Sequence, residues 1–594
     1  MKAANSNVES PEPGQESPSR SKRSPKRLAL FRLLFIALGL SPFILLEVGL
    51  RIFDVGESKE SQDPFAGFNA RNPLFEKQGD VFRTSRFRGQ YFNPQEFQAV
   101  KPDNQFRIFC LGGSTVYGQP FHEPTAFPKW LELELNERQS DKDVKVVNCG
   151  GISYASHRLL HVAREVAQYQ PDLIVLATGH NEFLEDRTYY SLKSQSTTEQ
   201  LARQGILSLR TVALVRRWLG KDQAPDLAPA SETRSAPAKV EDVHTRLDER
   251  TGYASFKRDP EWHARVIAEF ARMVREIALV CDSASTPLIL VNLGSNLRDC
   301  PPLKSGHKEP FTIEEERQWR RAFDQADALE ATDLKAALDA YREAESIDPD
   351  YALLQYRMAR VFDRLGDFDA ARDYYLRSKA ADICPLRMFD RLNEVQFQIA
   401  KETGTPIVDY RNEIEKLSPG GIPGFDWYVD HVHPGIGGHQ RMAGIIAPVI
   451  GREKLLPIHS DWPQAERRAA YAKHIDSLPG NYLTNGGRRV EWLDAWANRQ
   501  RLLLETVPRD APGYVRQGMR RYEFANEDGA WESFTSALRL NPNSTSALIG
   551  YARELHGQGR TAHARKLIDR LAATPQANAP ALELETLRAT LAKP

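Results

Sequence analysis

Cysteine is scarce in this chain: Cys110, Cys149, Cys281, Cys300 and Cys384 are the only five in 594 residues. That is too few for a disulfide scaffold. Cys110 and Cys149 fall in or beside apolar runs and read as buried thiols. Cys300 and Cys384 flank a helical stretch, where an oxidising compartment would let them pair. Net charge is missing as well, since Lys plus Arg and Asp plus Glu each number 79. A balanced chain carries no global electrostatic footprint for nucleic acid, and no such partner is expected. No metal-ligand cluster, phosphate-binding loop or dinucleotide fingerprint occurs, so neither metal nor cofactor is implied. The length suits about three to four domains of ordinary size.

The N-terminus is the first feature that is present rather than absent. Residues 1–27 are polar and Pro/Ser-rich, ending in the basic cluster Lys22, Arg23, Lys26 and Arg27. Such a segment buries too little apolar surface to order itself. Leu28–Phe53 is then strongly apolar, with Leu33–Leu46 free of charge. It reaches about twenty residues if Glu47 and Arg51 sit at the far interface of a bilayer. No small-x-small cleavage pattern follows, so an uncleaved transmembrane helix over 28–53 is expected. The basic flank then leaves 1–27 cytoplasmic, as in a single-pass bacterial inner-membrane protein whose body is periplasmic or extracellular.

Chemistry is concentrated in four short segments, each placed just after an apolar run. Ile108-Phe109-Cys110-Leu111 reads as a buried strand, and Gly112-Gly113-Ser114 as the sharp turn that lifts a serine from its end. Open α/β sheets bind ligands at such ends. Val144–Val147 is a second run, followed by Asn148-Cys149-Gly150-Gly151-Ile152-Ser153-Tyr154. Asp172–Ala177 is a third, followed by Thr178-Gly179-His180-Asn181-Glu182. Far downstream, Asp430-His431-Val432-His433-Pro434 puts a carboxylate three residues from an imidazole. A serine, a histidine to deprotonate it and an acid to orient the histidine are what nucleophilic ester cleavage requires. Glycine-rich turns and an amide side chain supply the donors that hold the tetrahedral oxyanion.

In this order, these four blocks resemble the SGNH (GDSL-type) hydrolase family, over roughly 104–187 and 385–450, about a quarter of the chain. The resemblance implies Ser114 as nucleophile, with Gly-Gly-Ser-Thr in place of the usual Gly-Asp-Ser-Leu. It implies Gly179 and Asn181 as the Gly-x-Asn block, and Asp430 with His433 as the closing Asp-x-x-His block. The spacing selects His433 as base and leaves His431 as its neighbour. The second block is open: aligning Asn148 with its leading residue puts Ser153 at the oxyanion position, and a short slip puts Gly151 there. His180 and Glu182 have weaker claims, as residues at the pocket mouth.

The rest of the chain reads as insertions and repeats. Leu288–Leu293 continues the strand series, whereas 222–245 is an Ala/Pro/Ser-rich excursion without a core pattern. Ala359, Phe362, Gly366, Phe368, Ala371 and Tyr375 fall at tetratricopeptide spacings, and Ala337, Tyr341, Ala344 and Pro349 match the preceding unit's second helix. Its first helix, around 318–332, matches poorly. A second array closes the chain, with Ala530, Phe534, Ala537 and Pro542, then Tyr551, Ala552, Leu555, Gly559, Ala564 and Leu571. Gly366 and Gly559 mark tight turns. His439–Val449 reads as a helix closing the sheet, and Trp462–Arg501 as a helical connector.

The expected organisation is thus a tail (1–27), a transmembrane helix (28–53), a lead-in (54–103), a hydrolase domain in two parts (104–300 and 385–456), a repeat insertion (310–384) and a helical C-terminal region (457–594). The expected fold class is α/β, a three-layer α/β/α sandwich with a mostly parallel sheet carrying helical repeats. The expected activity is ester hydrolysis on an acylated glycan, lipid or small ester. O-acetyl transfer to an exported polysaccharide, and a repeat scaffold that recruits a protein partner through an inert domain, are the alternatives.

Overall fold

In a computed structural model, the described residues are 25–53, 73–86, 88–139, 141–193, 210–211, 214–215, 256–459, 462–499, 507–574 and 581–592. The excursion 222–245 and the tail up to residue 24 lie outside them. The chain divides into two units, Met1–Asp63 with Gln195–Arg234, and Pro64–Ser194 with Ser235–Pro594.

The first unit contains one long helix, α1 (Pro25–Ile52), over the apolar segment expected to be an anchor. Phe43, Ile44, Leu45 and Leu46 are exposed on it. Glu47, the acidic residue that interrupts the run, pairs with Arg51 (2.9 Å) and accepts the N–H groups of Arg210 and Thr211, both at 3.0 Å. Among the described residues, no helix is long and apolar enough to cross a membrane.

The second unit opens inside the expected lead-in with an antiparallel sheet of β1 (Phe75–Gln78), β2 (Val81–Thr84) and β3 (Glu96–Gln98). These strands are too short and polar to leave a readable alternation. Phe97 packs edge-on against Phe109 at 5.4 Å, and the buried Arg107 donates to Gln98 O at 3.0 Å, tying this sheet to the main one.

Then comes the α/β body: β4 (Gln105–Gly112), α2 (Ser114–Tyr117), α3 (Phe127–Glu137), β5 (Asp143–Gly150), α4 (Ser156–Val166), β6 (Leu173–Ala177), α5 (Glu182–Lys193), α6 (Pro260–Ser283) and β7 (Leu288–Asn292). After an inserted helical segment it resumes with α11 (Asp390–Thr403), β8 (Ile407–Asp409), α12 (Tyr410–Leu417) and α13 (Ile436–Arg452). The strands pair in the order β5-β4-β6-β7-β8, all parallel. Every residue of β4 and of β6 is buried, as expected of strands with helices on both faces, including the polar Gln105 and Arg107 of β4. α3 and α13 pack together on one face; α4, α6 and α11 line the other. β8 is only three residues long, too short to leave a pattern of its own.

The insertion consists of α7 (Ile313–Leu329), α8 (Leu334–Ile347), α9 (Ala352–Leu365) and α10 (Phe368–Ala381), two helix–turn–helix pairs. α7 starts five residues before the weak match at 318, at a Thr312/Glu315 capping box. Tyr341, Leu354, Met358 and Tyr375 form its core, into which Leu297 and Ile422 of the α/β body also pack. The connector is α14 (Gln464–Asp476) and α15 (Tyr482–Arg499). The C-terminal array is α16 (Ala511–Glu523), α17 (Glu527–Leu540), α18 (Ser544–Gly557), α19 (Thr561–Ala572) and α20 (Ala581–Ala592), around Phe534, Leu548 and Leu555. All five cysteines are buried and none is in a disulfide, so Cys300 and Cys384 are not bridged to each other.

The two turn glycines differ in what surrounds them. Gly366 (φ +83°) has open space where a Cβ would stand, whereas at Gly559 (φ +82°) that position is 2.5 Å from Ala472 N. Gly366→Ala should therefore cost only the left-handed backbone penalty, about 1–2 kcal/mol. Gly559→Ala should cost about 1–3 kcal/mol more, because backbone of the connector must move. Urea unfolding midpoints of the two variants check this; equal losses would refute the packing argument.

Candidate active site

The site forms where β4, β5 and β6 end together. Gly112 pairs with Gly150 on one side and with Ala177 on the other, so the three following turns start at one level. Ser114 is the first residue of α2, directly after β4. Its N–H belongs to the first turn, where no intrahelical acceptor exists, and it has no hydrogen-bond partner among the described residues.

Asp430 and His433 reach this level on a loop that the aspartate itself organises. Asp430 Oδ1 accepts the backbone N–H groups of Val432 and His433, both at 2.8 Å. The loop closes further through Val429 N–H to His433 O at 2.9 Å and Gly435 N–H to Trp427 O at 2.9 Å. Asp430 Oδ2 is left facing His433 Nδ1 at 2.6 Å, and His433 Nε2 lies 2.7 Å from Ser114 Oγ. Three residues spread over more than 300 positions thus form one hydrogen-bonded chain. Burial raises the Asp430 carboxyl, but the His433 imidazole and its hydrogen bonds outweigh this and hold it well below the usual carboxylate range.

The second block shows which glycine N–H groups are already committed. Gly151 N–H donates to Gly112 O at 2.9 Å, so the expectation that Gly151 offers a free donor is corrected here. Ile152 N–H donates to Tyr91 O at 2.9 Å and Tyr154 N–H to Gly151 O at 3.2 Å. Ser153 N–H has no partner among the described residues, and Ser153 sits at φ +61°, a left-handed conformation that favours glycine. Asn148 ties the block down, donating to Val116 O at 2.8 Å and accepting from Gly150 N–H at 2.9 Å.

Asn181 donates one amide hydrogen to Tyr154 O at 3.1 Å, which leaves the other free to point elsewhere. A Cβ at Gly113 would stand 2.7 Å from its Nδ2, so the amide lies against the turn that carries Ser114. Glu182 takes no place at the pocket mouth. It is buried, and it accepts Ser156 N–H (2.9 Å) and Ser156 Oγ–H (2.7 Å) at the start of α4. His180 is buried too, with Nδ1 accepting Met388 N–H at 3.1 Å. Both are therefore corrected from pocket-mouth residues to interior ones.

His431 lies beside this chain without joining it: its Nδ1 is 3.7 Å from Asp430 Oδ1 and its ring centre 6.3 Å from that of His433. His439, which no motif singled out, is 0% exposed, and among the described residues both its ring nitrogens lack a partner. Burial pushes His431 down to about 4, and burial with the neighbouring His433 pushes His180 and His439 down to about 3.

No family model and no curated protein matches the chain. Among solved structures it is similar to an acetyl-xylooligosaccharide esterase from Geobacillus Stearmophilus, at 14% identity and a TM-score of 0.24, over 59% of this chain and 93% of that one. It is similar also to a gut microbial diltiazem-metabolizing enzyme, at 11% identity and a TM-score of 0.24, over 60% of this chain and 49% of that one. At such scores the likeness carries no argument about chemistry, and the site stands on its own geometry.

The buried imidazoles set a pH dependence of stability. Unfolded histidine titrates near 6.5, so below that pH the unfolded chain binds protons that the folded His431, His180 and His439 exclude. Stability is complete above 6.5 and falls as pH drops toward 4, by up to about 1.4 kcal/mol per pH unit for each histidine. Asp430, shifted downward as well, keeps its contribution until pH falls through the carboxylate range. Urea unfolding at pH 7, 6 and 5 should show this slope, and His439→Leu should remove one histidine's share of it. An unchanged slope in that variant would contradict the assignment.

Proposed function

We propose that the protein is a serine hydrolase that cleaves carboxylic esters, with Ser114 as nucleophile, His433 as general base and then general acid, and Asp430 as the group that orients His433. The observation that carries this reading is the continuous hydrogen bonding from Ser114 Oγ through His433 to Asp430, at 2.7 and 2.6 Å. His433 Nε2 takes the hydroxyl proton as Oγ attacks the ester carbonyl, and returns it to the departing alkoxide. Asp430 keeps Nδ1 protonated and stabilises the imidazolium. The N–H groups of Ser114 and Ser153 and the free amide hydrogen of Asn181 face the oxyanion; losing one such donor typically costs about 10²–10³ in turnover. The order of these blocks along the chain is that of the SGNH class, and the helix pairs at 313–381 and 511–572 fit tetratricopeptide units.

Ser114→Ala and His433→Ala should each abolish fluorophosphonate labelling and lower ester turnover by about 10⁴–10⁶, because the pair acts as a unit. Asp430→Asn should cost less, and His431→Ala should be mild. An activity screen on esters of graded acyl length, with Ser114→Ala as blank, measures all four. Full activity in Ser114→Ala would end the reading, and equal damage from His431→Ala in folded protein would reassign the base. Acetylated glycan formed in preference to free acetate would change the activity from hydrolysis to acyl transfer.

Although no helix among the described residues is long and apolar enough to cross a membrane as it stands, α1 is proposed to be an uncleaved anchor of a bacterial inner membrane with the catalytic body outside the cytoplasm. Its apolar stretch reaches about twenty residues once Glu47 and Arg51 sit at the far interface. The exposed Phe43–Leu46 surface and the basic residues before it support this. The protein should then stay with membranes after carbonate washing, and protease outside the inner membrane should digest its body. A soluble mature form starting near residue 55 would mean a cleaved signal.

A further inference from the structure

The C-terminal array touches the base-bearing loop at both of its ends. On α16, Arg520 Nε donates to the carbonyl of Val429, the residue before Asp430, at 2.6 Å. One turn later, Glu523 Oε1 accepts the N–H of Ile436, three residues after His433, at 2.8 Å. Both side chains are buried, and each is held from behind. The Arg520 guanidinium pairs with Asp494 at 3.0 Å and lies over the Phe425 ring at 4.9 Å. Glu523 Oε2 pairs with Arg560, which is 1% exposed. A Cβ at Gly435 would stand 3.1 Å from Glu523 Oε1, so the loop comes close to this carboxylate.

These contacts differ from ordinary docking in what they hold. Ile436 begins α13, and its N–H is one of the orphan amides of that helix start; Glu523, from another part of the chain, satisfies it. Between the two grips lies the short stretch that aims His433 at Ser114. Within the loop the Asp430 contacts set its shape, and Asn296 N–H, just after β7, donates to His431 O at 3.0 Å in its middle. Arg520 and Glu523 add a grip at each end of the stretch, and they do so from a region that contributes nothing to the sheet.

We infer that Arg520 and Glu523 are positioning residues, through which the C-terminal helical array holds the Asp430–His433 loop within reach of Ser114. The inference rests on the hydrolase reading above. It makes the array a working part of the active site rather than a separate appendage.

The test uses the full chain and measures kcat, KM, fluorophosphonate labelling rate and the pH profile of kcat/KM. In Arg520→Ala and Glu523→Ala, kcat and labelling rate should fall by about tenfold or more with KM nearly unchanged, since displacement of the base by a fraction of an ångström is enough. The acidic limb of the pH profile should move as the His433–Asp430 contact loosens. Glu523→Gln keeps an oxygen acceptor for Ile436 N–H and should restore most of kcat. Arg509→Ala, which breaks contacts of the array to Glu330 and Asp327 only, should leave kcat unchanged. Because Glu523→Ala strands the buried Arg560, the same hydrogen bond is also deleted from the loop side. Ile436→Pro removes the N–H at a first helical position where proline is tolerated, and Ile436→Val is its size control. Loss of kcat in the proline but not the valine variant supports the inference. Folded Arg520→Ala, Glu523→Ala or Ile436→Pro protein with wild-type kcat and labelling rate overturns it. Wild-type protein without Ser114-dependent turnover ends the hydrolase reading itself, and the inference with it.

Discussion

Between the ends of β4, β5 and β6 there is no room for a side chain, and the candidate site exists because of that. A Cβ on Gly112 would lie 2.1 Å from Ala177 O, and one on Gly150 would lie 2.0 Å from Tyr117 N. With hydrogen there instead, the strand ends close up, and the turns after β4 and β6 bring the Asn181 amide against Gly113, next to Ser114. A methyl group at either glycine would meet backbone rather than a movable side chain, so it would push the turns apart. The parallel order with β4 in the middle does the rest, because it puts the crossover connections of β4 and β6 on opposite sides and leaves a crevice between them.

Electrostatics sharpen what the packing assembles. One buried carboxylate, Asp430, accepts two backbone N–H groups and a histidine, which satisfies it without a salt bridge to lysine or arginine. Around it stand three imidazoles that burial keeps neutral: His431, His180 and His439. A positive charge that develops on His433 therefore meets one anion and no competing cation among these neighbours. That is the field an imidazole in the role proposed for His433 would need, with Asp430 as its counter-charge.

The helical additions divide the labour by where they touch the α/β body. The inserted pairs share a core with Leu297 and Ile422, and Arg298 clamps Asp363 with two hydrogen bonds at 2.8 and 3.0 Å. The C-terminal array instead reaches Asp299 through Arg516 and the loop around Asp430 through α16. Both arrays thus brace the segment after β7, at the adjacent Arg298 and Asp299, and the C-terminal array adds its grip on the loop around Asp430.

Much of the fold was readable from the chain because its determinants are local. The runs at Ile108–Leu111, Val144–Val147, Asp172–Ala177 and Leu288–Leu293 are apolar enough to be buried strands wherever they lie, and observed β4, β5, β6 and β7 contain or overlap them. The helix repeats at 337–375 and 530–571 declare themselves by periodicity in the same way. The short polar strands β1–β3 and β8 did not, since their pairing comes from neighbours rather than from their own pattern. By itself the sequence marked Ser114, Asn181, Asp430 and His433 as candidates for chemistry, because residues of these types stand in the short motifs Gly112–Ser114, Gly179–Asn181 and Asp430–His433. Only the tertiary structure decided that Gly151 N–H is spent on Gly112 O while Ser153 N–H has no partner among the described residues, that Glu182 and His180 face inward, and that Arg520 and Glu523 grip the Asp430–His433 loop. Those outcomes depend on which hydrogen bonds remain after distant segments have packed, and no local pattern encodes that.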